Sequence, residues 1–361
     1  MLNDKFSIIA TSKCWIEDNA RQQLKDTASL PGVTKAVGLP DLHFGKTPVG
    51  AVFATKGIIY PFLVGNDLGC GIGLFVTSSQ AKKFNPERIA PKLFEIQSLK
   101  DIPGKDIKGT LPEEVCPIRD LGTLGGGNHF LEFQVVEKIY SKEDFKLIGF
   151  DPEKLLVMVH SGSRDYGQKI YEEFGKYLEG LPAGEDLAKQ YLASHLSAQK
   201  WAKINREVAA NKVLSYLGVE KATPILDLPH NFVEEYHDLF IHRKGAVSAL
   251  TGIAVVAGSR GTFSYLVKPK PECFQSLYSL SHGAGRKWAR GVCKGRLTNK
   301  YPKNAIFRTK LKSEVICHNK ELLYEEAPEA YKNIEEIILA LVQANLCEVV
   351  CSLRPLLTLK V

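Results

Sequence analysis

The sequence predicts an α+β fold, on three observations. Short β-type runs broken by Gly and Pro fill residues 1 to 80. A long stretch of helical periodicity occupies about residues 167–217. Strands and helices are otherwise interspersed without the strand–helix–strand alternation of a doubly wound sheet.

The elements follow from local pattern. Ala36–Leu39, Val49–Thr55, Gly57–Val64 and Gly71–Val76 are β-type runs, punctuated by Gly38, Pro40, Gly45, Pro48, Gly50 and Gly65. Residues 81–117 are mixed, with a helical stretch near Pro91–Leu99. Leu131–Val136 and Leu155–Val159 read as strands, the second ending directly at His160. Tyr171, Phe174 and Leu178, then Leu187, Tyr191, Leu196, Trp201, Ile204, Val208 and Val213, recur at helical spacing. Gly180-Leu181-Pro182 breaks this region, which predicts a helical hairpin that covers a sheet as a packing element. Residues 223–270 return to strands, Ile337–Leu346 is a helix, and Val349–Leu359 is a terminal strand. No repeat, low-complexity tract or strong linker divides the chain, so residues 1–361 are expected to form one domain.

Composition narrows the class. The net charge of +7 is mildly basic and permits an anionic partner such as nucleic acid without demanding one. No apolar run reaches the ~20 residues of a membrane span, and Met1–Ala10 lacks the pattern of a secretory leader. The expected compartment is cytoplasmic. The eight cysteines are Cys14, Cys70, Cys116, Cys273, Cys293, Cys317, Cys347 and Cys351; none forms Cys-x-x-Cys, so most read as small buried apolar residues.

Four of the nine histidines sit among Gly, Ser or Asn: His129, His160, His230 and His282. Loops of small residues bring backbone N–H groups and ligating side chains together. In Gly65-Asn-Asp67-Leu-Gly-Cys70-Gly71, a carboxylate and a thiol three residues apart can converge on one cation, or the Asp can cap the turn over a buried Cys. With His129, His160 and His230 they make a plausible five-donor site for one or two metals. Donor softness favours Zn, Co or Fe. Gly122–His129, Gly258–Thr262 and His282–Arg286 can wrap phosphate through successive N–H groups, although no Walker A loop occurs. His282, among small residues and beside Arg286, can attack an activated phosphate while the arginine offsets its charge. Asp41 and His43 share a strand face and are either site groups or a hydrogen-bonded turn. His195, His237, His242 and His318 lie in helical, apolar or charged surroundings and carry no assigned chemistry.

Taken in order, Asp41-Leu-His-Phe-Gly-Lys46, Gly65–Gly71, Gly122–Glu132, His160-Ser-Gly-Ser-Arg164, His230-Asn231, Arg243-Lys-Gly-Ala246, Ser281–Arg286 and Glu325–Lys332 closely resemble the RtcB family of RNA-splicing and repair ligases. The resemblance runs from about residue 35 to Lys360 and marks a short, divergent member. It implies mixed sheets around a deep metal and nucleotide cleft, with the helical hairpin as an insertion. The implied activity joins RNA ends bearing a 2′,3′-cyclic phosphate or 3′-phosphate to 5′-hydroxyl ends, with GTP and two Mn²⁺ ions, in RNA repair or tRNA splicing. The alternative is a metal-dependent cyclic phosphodiesterase that does not seal. Asp67, Cys70 and His129 would hold one Mn²⁺, and Cys70, His160 and His230 the other. His282 would be the nucleophile that takes GMP, with Asp41 as a further catalytic candidate. Guanylate contacts would fall on Asn128, His129, Phe130, Leu131, Glu132, His230, Asn231, Ala257, Gly258, Ser259, Arg260, Ser264, Gly283, Ala284, Gly285, Tyr331 and Lys360. The resemblance leaves room for an archease-like activator, and a monomer is expected. Three residues depart from the family pattern: Ala257 stands where Pro is usual, Arg260 stands where Met is usual and adds a charge near the expected phosphate, and Ser281 stands where Cys is usual.

Overall fold

A computed structural model describes residues 5–102, 119–220, 222–301 and 305–361. Cys116 and the end of the mixed stretch, residues 103–117, lie outside the described residues. The architecture is mixed α+β with several sheets, as the sequence predicts.

An eight-stranded sheet is the main layer. Its strands lie in the order Ala254–Val256, Ser264–Pro269, Cys347–Lys360, Phe130–Ile139, Lys154–Ser161, Gly71–Gln80 and Thr223–Pro229, with Glu314–Cys317 pairing parallel to Cys347–Lys360. Period-two alternation sends the side chains to two cores. In Lys154–Ser161, Leu155, Val157 and Val159 join one apolar cluster, and Leu156 and Met158 join the other. A run apolar on both faces is expected of a strand covered on both sides. A second sheet, in the order Phe6–Ile8, Val33–His43, Val49–Thr55, Leu239–Lys244 and Asn231–Tyr236, packs alongside. His230 is the single residue between Thr223–Pro229 of the first sheet and Asn231–Tyr236 of the second. It therefore marks the corner where the chain changes sheets.

Several boundaries differ from the sequence reading. Gly57–Val64 supplies only a two-residue strand, Ile58–Ile59, because Pro61 opens a short helix, Pro61–Val64. The helix expected near Pro91–Leu99 begins earlier, at Pro86, where the Asn85 side chain caps the Arg88 N–H, and ends at Phe94. The helix Asp18–Ala28 lies within a region read as strands and turns. The hairpin resolves into Arg164–Phe174 and a 31-residue helix, Asp186–Tyr216. Among the described residues no helix is long and apolar enough to cross a membrane.

Candidate active site

Strand order assembles the donors. Phe130–Ile139, Lys154–Ser161, Gly71–Gln80 and Thr223–Pro229 are consecutive and antiparallel, so they start and end alternately at one end of the sheet. His129 precedes the first, His160 nearly ends the second, Cys70 precedes the third and His230 follows the fourth. Neighbouring strands lie about 4.8 Å apart, so donors at adjacent strand ends fall within reach of one another. The Cys70 Sγ lies 3.3 Å from His129 Nε2 and 3.2 Å from His160 Nε2. His160 Nε2 lies 3.2 Å from His230 Nε2, and His129 Nε2 lies 2.9 Å from Asp67 Oδ2. The contacts thus form a chain, Asp67–His129–Cys70–His160–His230, with the thiol at its centre.

The donor chemistry fits a cation. Cys70, His129 and His160 offer ligand atoms all within 4.8 Å of one another, and all three residues are buried. The His160 Nδ1 lies 3.2 Å from the Asn128 carbonyl, which only accepts, so the ring proton sits on Nδ1 and Nε2 turns a lone pair to the cluster. Burial, then the neighbouring histidines, pushes His160 and His230 well below the ordinary histidine range, so both are neutral ligands. Burial works to raise Asp67, but attraction and a hydrogen bond from His129 outweigh it and hold the carboxyl well below its usual range. Burial and the Asp67 carboxylate push the Cys70 thiol up; a coordinating cation reverses that balance, because a ligating thiol is deprotonated.

The long helix Asp186–Tyr216 fixes the loops that carry these donors. Asn205 accepts from the Gly122 and Thr123 N–H groups at 2.7 and 3.1 Å, and donates to Thr123 O at 2.9 Å and Ser161 Oγ at 3.1 Å. Arg206 binds Asp227 through two contacts, 2.7 Å from Nε and 2.6 Å from Nη2, and its Nη1 donates to Gly69 O at 2.9 Å and Ser161 O at 2.7 Å. Those carbonyls adjoin Cys70 and His160. By its apolar period this helix is a packing element alone; no periodic signal distinguishes a buried polar pair from a solvated one. Gly162 is required by close approach, since a Cβ there would lie 1.9 Å from Asp67 Oδ1.

His282 follows the short strand Ser279–Ser281, and its ring lies beside that of His230, with centroids 4.8 Å apart. Its Nδ1 contacts the wholly buried Asp41 at Oδ2, 2.7 Å away. A carboxylate accepts, so Nδ1 carries the proton and Nε2 keeps its lone pair. His43 Nδ1 meets the Asp41 carbonyl at 2.9 Å, and burial lowers this ring to about 4. Both lie at the end of strand Val33–His43, His43 lining the cavity beside His282 and Asp41 standing behind the His282 ring.

A cavity of about 160 Å³ opens beside His282 and His160. Of the expected guanylate contacts, Asn128, Phe130, Ala257, Gly258, Ser259, Arg260, Gly283, Ala284, Gly285, Tyr331 and Lys360 line it. His129 and His230 are instead in the donor chain. The Leu131 side chain belongs to the opposite core, one residue out of phase with Phe130. Glu132 is buried behind the wall, accepting from Thr358 Oγ1 at 2.5 Å and Gln134 Nε2 at 2.6 Å, and burial raises its carboxyl to about 7. Asn231 holds the turn by donating to Asp67 O at 3.2 Å and accepting from Gly245 N–H at 3.0 Å. Ser264 Oγ accepts from the Gly258 N–H at 3.0 Å.

Three cations behave differently from the sequence reading. Arg260 does not offer a free charge: Nη2 donates to Leu323 O at 3.0 Å, while Nε and Nη1 are buried without partners. Arg286 is a brace, with Nη1 on Glu326 at 3.0 Å, Nη2 on Glu325 O at 2.9 Å and its guanidinium 5.2 Å from the Tyr331 ring centre. Tyr331 donates its hydroxyl proton to Glu326, so both ends of this wall are fixed. Arg290, unassigned from sequence, also lines the cavity and is half-exposed, with its nearest carboxylates at 3.8 and 3.9 Å. The Ser281 hydroxyl is buried with no hydrogen-bond partner.

Comparison with known proteins agrees in extent as well as in motif. The tRNA-splicing ligase RtcB family matches residues 23–108 and 112–361. RNA-splicing ligase RtcB2 of an Escherichia coli strain is 43% identical over 99% of this chain and 96% of the relative. RNA-splicing ligase RtcB of Escherichia coli K12 is 30% identical over 96% of this chain and 95% of its own length. The tRNA-splicing ligase RtcB of Methanococcus maripaludis is 26% identical over 89% of this chain and 87% of the relative. A family match over nearly the whole described fold, on a chain whose dispersed motifs converge on one buried cluster, makes this protein a member of the RtcB family of RNA ligases.

Proposed function

We propose that the protein is a GTP- and Mn²⁺-dependent ligase that joins 2′,3′-cyclic-phosphate or 3′-phosphate RNA ends to 5′-hydroxyl ends through a guanylylated His282. The observation that carries this reading is the 2.7 Å contact between His282 Nδ1 and Asp41 Oδ2, which leaves Nε2 as the nucleophile at the cavity. In this reading His282 Nε2 attacks the α-phosphorus of GTP. A P–N bond forms, the bond from α-phosphorus to the bridging oxygen breaks, and pyrophosphate leaves. An oxygen of the RNA 3′-phosphate then displaces His282 from phosphorus, and the 5′-hydroxyl attacks the activated end with loss of GMP. Asp41 keeps the proton on Nδ1 and steadies the charge that develops on the ring. A cyclic phosphate is first opened to the 3′-phosphate by water.

Asp67, Cys70 and His129 would hold one Mn²⁺, and Cys70, His160 and His230 the second; bound there, the ions would offset phosphate charge. The order of contacts along the donor chain supports this partition, while softness alone favours other metals. Phe130 and Tyr331 would lie against the base, Gly283 and Gly285 would present N–H groups to phosphate, and Lys360 would meet the guanine edge.

The test is covalent labelling with GTP radiolabelled at the α-phosphate, in Mn²⁺, followed by denaturation. Wild type should carry acid-labile label and His282→Ala none. Opening of a cyclic-phosphate RNA without label on the protein would select the phosphodiesterase reading instead.

A further inference from the structure

We propose that Lys332 is a positioning residue that locks the Asp41–His282 pair, by tying the end of strand Val33–His43, which carries Asp41, to the loop that carries His282. This rests on the reading of His282 as the nucleophile. Lys332 is buried, and its Nζ donates to Leu42 O at 2.5 Å and Pro40 O at 3.3 Å, the carbonyls on either side of Asp41. Its own backbone N–H donates to Gly285 O at 3.0 Å, three residues beyond His282. One residue therefore grips the strand end that carries Asp41 by its side chain and the His282 loop by its main chain.

The two segments touch so closely that Gly285, at φ +65°, admits no side chain: a Cβ there would lie 2.4 Å from Asp41 O. Asp41 itself is fully buried, and its Oδ1 has no hydrogen-bond partner. A buried carboxylate so poorly satisfied needs a cation within its field. The Lys332 ammonium supplies it through the flanking carbonyls without competing with His282 for the carboxylate. Asp41, Cys14, Glu17 and Arg21 are the charged or titratable groups that act on Lys332, and Lys332 in turn acts on His43. Burial lowers the ammonium to about 8, Asp41 being the chief opposing influence. Lys332 does not line the cavity beside His282, and its Nζ is taken up by the two carbonyls that flank Asp41, so its action on His282 runs through Asp41.

The experiment measures guanylylation rate constants and apparent KM for GTP in wild type, K332M, K332R, D41N and the K332M/D41N double variant. Metal content and urea unfolding are followed in each. K332M should slow labelling by about 10- to 100-fold, with KM within about threefold of wild type, as for a displaced reacting group. K332R should recover part of the rate. In the double variant the two losses should not multiply, because both act on one hydrogen bond. Histidine ¹⁵N NMR reads the same geometry without GTP: His282 should carry its proton on Nδ1 in wild type and shift toward the Nε2–H tautomer in K332M. A folded K332M with wild-type labelling and tautomer, or losses that multiply, would overturn the proposal. Absence of label on wild type would instead refute the ligase reading, and the tautomer measurement would still decide the role of Lys332.

Discussion

Replacing Arg206 with Met removes a guanidinium that is 1% exposed and makes four hydrogen bonds, two to Asp227 and one each to the carbonyls of Gly69 and Ser161. Deleting one partner of a buried ion pair leaves the other charge uncompensated and costs about 3–5 kcal/mol. Two carbonyls lose their donors at the same time, which places R206M at the upper end, about 5 kcal/mol. R206K keeps the charge but loses the planar fork, and about 1.5–3 kcal/mol is expected. Adding D227L to R206M should restore part of the loss, since an apolar pair carries no stranded charge. The assay is urea unfolding followed by circular dichroism with chelator present, paired with metal content after dialysis against Mn²⁺. Because Gly69 precedes Cys70 and Ser161 follows His160, the folded R206K should also hold metal more weakly, by about 10- to 100-fold. R206M within about 1 kcal/mol of wild type, or D227L adding its own full loss, would refute the reasoning.

Asp41→Asn exchanges a charge-assisted hydrogen bond for a neutral one; a loss of about 1.5–3 kcal/mol corresponds to roughly 10- to 150-fold slower labelling of His282, and a wild-type rate would exclude the role. The metal-free protein should lose stability in mild acid. His195 Nε2 accepts from the Val233 N–H and His242 Nε2 from the Tyr60 N–H, and burial lowers these rings to about 3 and about 4. Both folded values lie below the unfolded one of ~6.5, so this stability is complete above pH ~6.5 and falls with pH toward 4, by up to about 1.4 kcal/mol per pH unit for each ring. Urea midpoints that stay level from pH 7 to 5 would contradict this. Lys360 donates to Gly127 O at 3.0 Å and His129 O at 2.8 Å, so K360M should raise the apparent KM for GTP by about tenfold or more in the labelling assay. Deleting residues 359–361 is a poorer probe, because Leu359 is wholly buried in the core and its loss should unfold part of the sheet.

Residue chemistry and local conformation are written along the chain. Asp67, Cys70, His129, His160, His230 and His282 were legible because each interrupts apolar alternation with small residues, a signal carried within a few positions. The terminal strand and the long helix are legible from the period of their apolar residues, which is likewise local. The helix Asp18–Ala28 was not, since its polar surface masks three buried residues, Ala20, Leu24 and Ala28. Tertiary structure alone decided which strand ends are neighbours, and hence that four donors meet at one end of a sheet; strand order depends on pairings between distant segments, which no local pattern encodes. It also decided the partners of Arg206, Asn205 and Lys332. Each occurs in a run where a polar residue normally faces water. Only the closing of other segments over them turns them into buried donors that must find acceptors, and the acceptors they find are the loops of the site.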